Sequence, residues 1–290
     1  MNAAIPSKAA AFLELTKPGI TRLVLVTTAA GFYLAVGASG SLLLFVNALF
    51  ATALVASGTN ALNQWFERDA DAHMRRTARR PLPSGRLSSG EALLFAWGIS
   101  LFGLIYFALF VNALTAFVVG FTLASYVFIY TPLKRKTWIS TLIGAVPGAL
   151  PILAGWTATG RPLTPAAWAL FAIMFVWQLP HFFALAWIYR EDYRKAGFQM
   201  LTVVDGTGAR AAWQTLFYAA VLIPISLLPT AFGLTGVLYL TGALVLGVAF
   251  LLPTILMLTR GPSEKFAWRT FAASIIYLPL LLVLMVIDKV

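Results

Sequence analysis

Apolar residues fall into nine runs, near 20–37, 42–64, 92–110, 113–131, 138–157, 165–189, 212–231, 235–259 and 268–287. Each approaches the roughly 20 residues a helix needs to cross about 30 Å of hydrocarbon. Inside lipid a helix satisfies its own backbone groups, so such runs read as spanning helices. The pattern predicts an all-α integral membrane protein with about nine transmembrane helices. Pro147, Pro151, Pro180, Pro224, Pro229 and Pro253 fall inside the runs. Membrane helices tolerate them because neighbouring helices re-satisfy the freed backbone groups.

The polar positions add an orientation. Nine spans put the termini on opposite faces, and all of the 21 basic residues except Arg161 and Lys289 then share one face. Short loops rich in Lys and Arg stay in the cytoplasm, so that face, with the N-terminus, is expected to be cytoplasmic. The outer links are mostly short, Ala38–Ser41 being typical. Two cytoplasmic loops, 65–91 and 190–211, are far longer than their connections require. Loops of that kind carry function more often than packing.

Composition agrees and excludes several chemistries. The chain is 60% hydrophobic and 11% charged, against about 25% charged residues in soluble domains. It has no cysteine, so disulfides, Cys-zinc sites and thiol nucleophiles are excluded. His73 and His181 are its two histidines, too few for a multi-His metal centre. The net charge of +11 sits in short loops between apolar spans. There it sets topology and meets anionic head groups or phosphates, so no nucleic-acid partner is expected. Residues 1–16 are neither Arg-rich nor built like a cleavable signal. No targeting segment is expected, which favours a bacterial inner (plasma) membrane.

Chemistry concentrates where the second run meets the first long loop. Asn60, Asn63, Glu67 and Asp71 are spaced three, four and four, which places them on one helical face. The plain reading is a polar helix end entering solvent. However, the two amides lie within an apolar run, where polar groups are costly and tend to serve a site. Carboxylates one turn apart repel, and a divalent cation relieves that repulsion. Hard oxygen ligands suit Mg²⁺, which takes one or two carboxylates and completes its shell with phosphate oxygens and water. Arg75, Arg76, Arg79 and Arg80 follow directly. Acid, metal and arginine together form a diphosphate clamp.

The sixth run ends in Pro180, His181 and Phe182, followed by Tyr189-Arg190-Glu191-Asp192-Tyr193-Arg194-Lys195. This repeats the first loop's mixture of acids and bases four spans later, a weak sign of two related halves within one domain over 1–290. His181 is open to two readings, packing residue or participant (base, ligand to a substrate's metal, or orienting donor). His73 reads as a loop residue. Tyr130 to Lys136 contributes Lys134 and Arg135, serving topology or phosphate contact. Of the 22 phenylalanines, those facing a cavity would stabilise a carbocation through their π faces.

At these residues the sequence resembles the UbiA-type intramembrane prenyltransferases, over nearly its whole length. Leu15-Thr16-Lys17-Pro18 is similar to that family's opening. Asn63 with Glu67-Arg68-Asp69-Ala70-Asp71 is similar to its first aspartate-rich motif. Met74, Arg76, Thr77, Arg80 and Pro81 form a basic tail typical of its heme-farnesylating branch. Tyr130 to Arg135, Pro180-His181-Phe182 and Arg190-x-Asp192-Tyr193 resemble its later motifs. Glu67 stands where the family usually has Asp, and Ser140 where Asn is expected. Tyr189 and Tyr193 hold the usual carboxylate spacing of the second motif, with Glu191 and Asp192 between them; Asp192 is favoured as the ligand there.

The resemblance implies a bundle around a central cavity, open to the cytoplasmic loops and sideways to lipid. It also implies Mg²⁺ as cofactor, held by Asn63, Glu67, Asp71 and Asp192. The diphosphate would be contacted by Arg76, Arg80, Lys134, Arg135, Arg190 and Lys195, with His181 positioning the acceptor or handling a proton. The implied substrates are farnesyl diphosphate and heme B, with a heme A synthase as recipient of the product. The two long loops are expected to act as a lid. The rival readings are a sister enzyme acting on a quinone precursor or chlorophyll-like acceptor, and a transporter. The clustering of charge at one surface disfavours the transporter.

Overall fold

A computed structural model describes residues 7–290, so the Met1–Pro6 part of the targeting expectation lies outside the described residues. The described chain is helical, with one isolated bridge between Thr235 and Lys289. Its elements are α1 (Lys8–Leu15), α2 (Pro18–Val36), α3 (Leu42–Asp71), α4 (Ser89–Phe110) and α5 (Ala113–Ala124). A π-helical segment, Ser125–Tyr130, joins α5 to α6 (Thr131–Leu133). Then come α7 (Ser140–Ala158), α8 (Pro165–Ile188), α9 (Arg190–Lys195), α10 (Leu201–Val204), α11 (Ala209–Ala231), α12 (Val237–Thr259) and α13 (Glu264–Ile287). Among the described residues, nine helices are long and apolar enough to cross a membrane: α2, α3, α4, the α5–α6 run, α7, α8, α11, α12 and α13. The chain is a multi-pass membrane protein.

Short polar side chains start many of these helices. Ser41 caps α3, Asn112 α5, Thr164 α8 and Ser263 α13, each accepting from a backbone N–H of the first turn. Ser88 and Glu91 form a reciprocal capping box at α4.

Two boundaries differ from expectation. The first long loop starts at residue 72 rather than 65, because α3 continues to Asp71. Its 30 residues make a rod of about 45 Å, longer than the hydrocarbon is thick. Apolar patterning stops near Gln64, but the helix continues because Gln64, Glu67 and Asp71 are buried against neighbours. The second long loop is not irregular either, since it contains α9 and α10.

The helices α7 and α8 form the centre of the bundle, with α2 and α5 against α7, and α11 and α13 against α8. Glycines set the closest approach. A Cβ on Gly31 of α2 would strike the Ile152 carbonyl, and one on Gly155 of α7 would strike the Thr28 carbonyl. Small residues let membrane helices pack backbone to backbone. At the periphery, Leu101, Phe102, Ile105 and Leu109 of α4 face outward, as a lipid surface requires.

Gly155→Val is expected to lower stability by about 1–3 kcal/mol through overpacking, read as an earlier thermal transition in detergent. Gly98→Ala, where a Cβ meets open space, is expected to leave that transition within error or raise it.

Candidate functional site

The bundle encloses a cavity of about 470 Å³, within the range of ligand sites. Its two ends differ in chemistry. Lys17, Asn60, Asn63, Glu67, Asp71, Arg76, Arg80 and Lys134 line the loop end. Val55, Val119, Leu123, Pro151, Met174 and Trp177 line the deep end. Thr52 and Asp71 both face it, 19 positions apart on α3, so the cavity extends about 28 Å along that helix. Ile20 and Leu23 of α2 line it and are 51% and 45% exposed.

The α3 face assembles as its spacing requires. Asn60 donates to the Thr16 carbonyl and the Thr21 hydroxyl, both at 3.2 Å. Asn63 donates to Thr131 Oγ1 at 3.2 Å and accepts from Lys17 Nζ at 2.8 Å. Glu67 Oε1 accepts from Lys134 Nζ at 2.8 Å. Asp71 is fully buried; its Oδ2 accepts from Arg80 Nη1 at 2.7 Å, while its Oδ1 has no partner. Thr131 in turn donates to the Tyr126 carbonyl at 2.8 Å across the π-helical segment, which carries Tyr126 and Tyr130 into the cavity. Such π segments often mark functional sites.

Two lysines at the helix ends behave oppositely. Burial alone pulls Lys134 down, but the Glu67 carboxylate and the neighbouring Tyr130 outweigh it and hold the ammonium well above the usual lysine range. Burial, reinforced by the Arg80 guanidinium, pulls Lys17 down to about 7. Lys17 also has φ 49°, the left-handed region, immediately before Pro18. Such strain in a non-glycine residue is found where surrounding structure imposes a conformation.

The second loop is built differently from its expected role. Tyr193 lines the cavity, whereas Asp192 does not; its Oδ1 accepts from the Arg75 backbone N–H at 3.4 Å. Arg190 lies over the Trp187 ring at 4.2 Å and pairs with Glu191 at 3.5 Å. Arg135 and Lys195 are exposed outside the cavity. Arg76 lies over the Tyr189 ring at 4.9 Å and does line it. The two loops are packed together through Met74, Ala186, Ala196, Phe198 and Met200. Helix ends therefore converge as expected, but Tyr193 rather than Asp192 faces inward. Deeper in, His181 lines the cavity, held by Ser274 Oγ at 2.8 Å from its Nδ1. His73 is an exposed loop residue whose ring meets only the Asp69 carbonyl, as expected.

Residues 24–276 match the profile of the UbiA prenyltransferase family. The chain belongs to that family. Among its relatives, a protein of Solibacter usitatus named protoheme IX farnesyltransferase is 46% identical, covering 96% of this chain and 98% of its own. A protein of the same name from Myxococcus xanthus is 42% identical over 100% and 99%. Solved structures share the fold. One described as digeranylgeranylglyceryl phosphate synthase superposes with a TM-score of 0.81 at 19% identity, covering 97% of this chain and 98% of that one. A UbiA homolog from Archaeoglobus fulgidus, bound to DMAPP and Mg2+, gives 0.70 at 20% identity, covering 94% and 98%.

A UbiA prenyltransferase needs a cavity that suits both a diphosphate and a prenyl chain, and these residues fit a divalent cation as well. Asp71 Oδ1 is a buried carboxylate oxygen without a partner, with Glu67 and the Asn63 amide along the same helix face. Among the described residues, no three His, Cys, Asp or Glu side chains gather closely enough to hold a metal unaided. Sequence reasoning missed Lys17 as a site residue. Its signal was a lysine placed directly before the proline that opens the first span.

Arg80→Ala strands the Asp71 carboxylate without its cation. A cost of about 3–5 kcal/mol is expected, measured as an earlier thermal transition in detergent. Adding Asp71→Asn should recover most of it.

Proposed function

We propose that this protein transfers the farnesyl group of farnesyl diphosphate to a vinyl group of protoheme IX (heme B), giving heme O. One observation carries the reading: a single cavity joins a cationic, oxygen-rich end to an apolar end, in a chain closely similar throughout to proteins named protoheme IX farnesyltransferase. Both proposed substrates are greasy and reach the site from the bilayer.

Asn63, Glu67 and Asp71 are the proposed Mg²⁺ ligands. Bound there, the ion supplies charge neutralisation for the leaving diphosphate. Asp192, the fourth expected ligand, lies outside the cavity lining, where its carboxylate accepts from the Arg75 backbone N–H. With their carboxylates otherwise engaged, Lys134 and Arg80 become free to turn to the diphosphate oxygens, joined by Lys17 and Arg76. The C–O bond of the allylic carbon breaks, its electron pair leaving with the diphosphate. Tyr126, Tyr130 and Trp177 present π faces to the resulting cation and keep water away. The vinyl π pair forms the new carbon–carbon bond. Water adds to the carbon beside the macrocycle and loses a proton, leaving a hydroxyethylfarnesyl group. Arg135, Arg190 and Lys195 stand on the rim, where their charge steers the anionic substrate inward. The packed loops act as the lid.

The concentration of basic residues at this end supports a cytoplasmic position for it and for the N-terminus, and an inner-membrane location in a bacterial cell. Product leaving beside α2 enters the bilayer, where a heme A synthase would collect it.

Purified protein given labelled farnesyl diphosphate is expected to label heme B and not 4-hydroxybenzoate; the reverse would overturn the assignment. Glu67→Ala and Asp71→Ala are each expected to reduce transfer by about a hundredfold or more, since they remove several kcal/mol of charge stabilisation. Normal turnover in either variant would defeat the metal assignment.

A further inference from the structure

The histidine of α8 is held with more care than packing requires. The His181 ring packs against Trp177, at 5.0 Å and 26°, Phe271, at 4.8 Å and 30°, and Phe182, at 5.4 Å and 72°. Three aromatic rings hold the imidazole, and its nitrogens sit on the ring edge. On that edge Nδ1 lies 2.8 Å from Ser274 Oγ. The buried Ser274 hydroxyl spends its single hydrogen on the Phe271 carbonyl at 2.6 Å. With that hydrogen so placed, Oγ accepts from His181, which assigns the proton to Nδ1. Trp177 Nε1 donates to the Ser274 carbonyl at 2.9 Å, closing the unit onto α13. Among the described residues no carboxylate pairs with His181 and no hydrogen bond engages Nε2, so the neutral ring presents a lone pair there. His181 lines the cavity.

An imidazole whose Nδ1–H is fixed by an acceptor, with Nε2 free at a cavity, has the usual arrangement of a metal-ligating histidine. Depth agrees. His181 lies seven residues before the end of α8, and Asn63 eight before the end of α3. Each stands about 10–12 Å back from its own helix end. A macrocycle held at His181 would share one cavity with the residues of the diphosphate end.

We propose that His181 Nε2 is the axial ligand to the iron of the porphyrin acceptor, with Ser274 as the positioning residue that fixes its tautomer. The proposal rests on the acceptor being an iron porphyrin. It gives the acceptor a fixed point about which one vinyl group is presented to the cation. It also gives the site a means of preferring iron porphyrin over the metal-free ring. The bond exchanges a water on the iron for imidazole nitrogen and moves no electrons.

The test is a titration of detergent-solubilised protein with ferric heme b and, separately, with metal-free protoporphyrin IX, followed by absorption and electron paramagnetic resonance. Wild type is expected to bind the iron form at least tenfold more tightly and to show a histidine-ligated spectrum. His181→Ala should lose both features, keep farnesyl diphosphate binding, and regain the ligand signature when free imidazole is added. Ser274→Ala should weaken iron-porphyrin binding by about 10–100-fold with metal-free porphyrin unaffected. An unchanged heme spectrum in His181→Ala, in a protein that still farnesylates heme, would overturn the ligand assignment alone. Wild type that binds neither porphyrin would overturn both this assignment and the proposed acceptor.

Discussion

Charge placed inside a membrane bundle must be paired, and the site depends on how this chain meets that demand. Glu67 and Asp71 lie within a spanning helix, one held by Lys134 and the other by Arg80. Lys17 closes the row on Asn63. An isolated charge there would cost several kcal/mol. The same constraint makes the row chemically useful. Each carboxylate holds a cation that a metal can release, and each cation has a phosphate oxygen as its natural second partner. Asp71 Oδ1, without any partner, is where the arrangement is incomplete.

The rest of the fold positions that row. Close packing of α2 on α7 through Gly31 and Gly155 keeps Lys17 near α3. The π-helical segment directs Tyr126 and Tyr130 into the cavity and sets Thr131 opposite Asn63. The loops, packed around Met74 and Phe198, bring the ends of α3 and α8 together. Beyond this charged end the walls become apolar. One cavity thus joins the two chemistries that the proposed prenyl diphosphate requires.

What the sequence revealed follows from what periodicity can encode. Nine apolar runs and a three-four-four spacing are properties of straight helices, and both appear in the structure. The end of α3 was misplaced because hydropathy falls before the helix ends: the apolar run closes at 64, while Glu67 and Asp71 continue the helix on buried partners. In the second loop, neighbouring residues differ in direction, so spacing alone could not choose between Asp192 and Tyr193. Lys17 and Ser274 act on Asn63 and His181 across 46 and 93 residues of chain. Partnerships at that separation leave no mark in a local pattern.

The central claim is that Glu67 and Asp71 exchange their resident cations for a metal when the diphosphate binds. Calorimetric titration of the protein with a non-reacting farnesyl thiodiphosphate, with and without Mg²⁺, tests it most directly. The account expects tight binding with the ion and binding weaker by at least tenfold once it is chelated. Equal affinity in both conditions would contradict it.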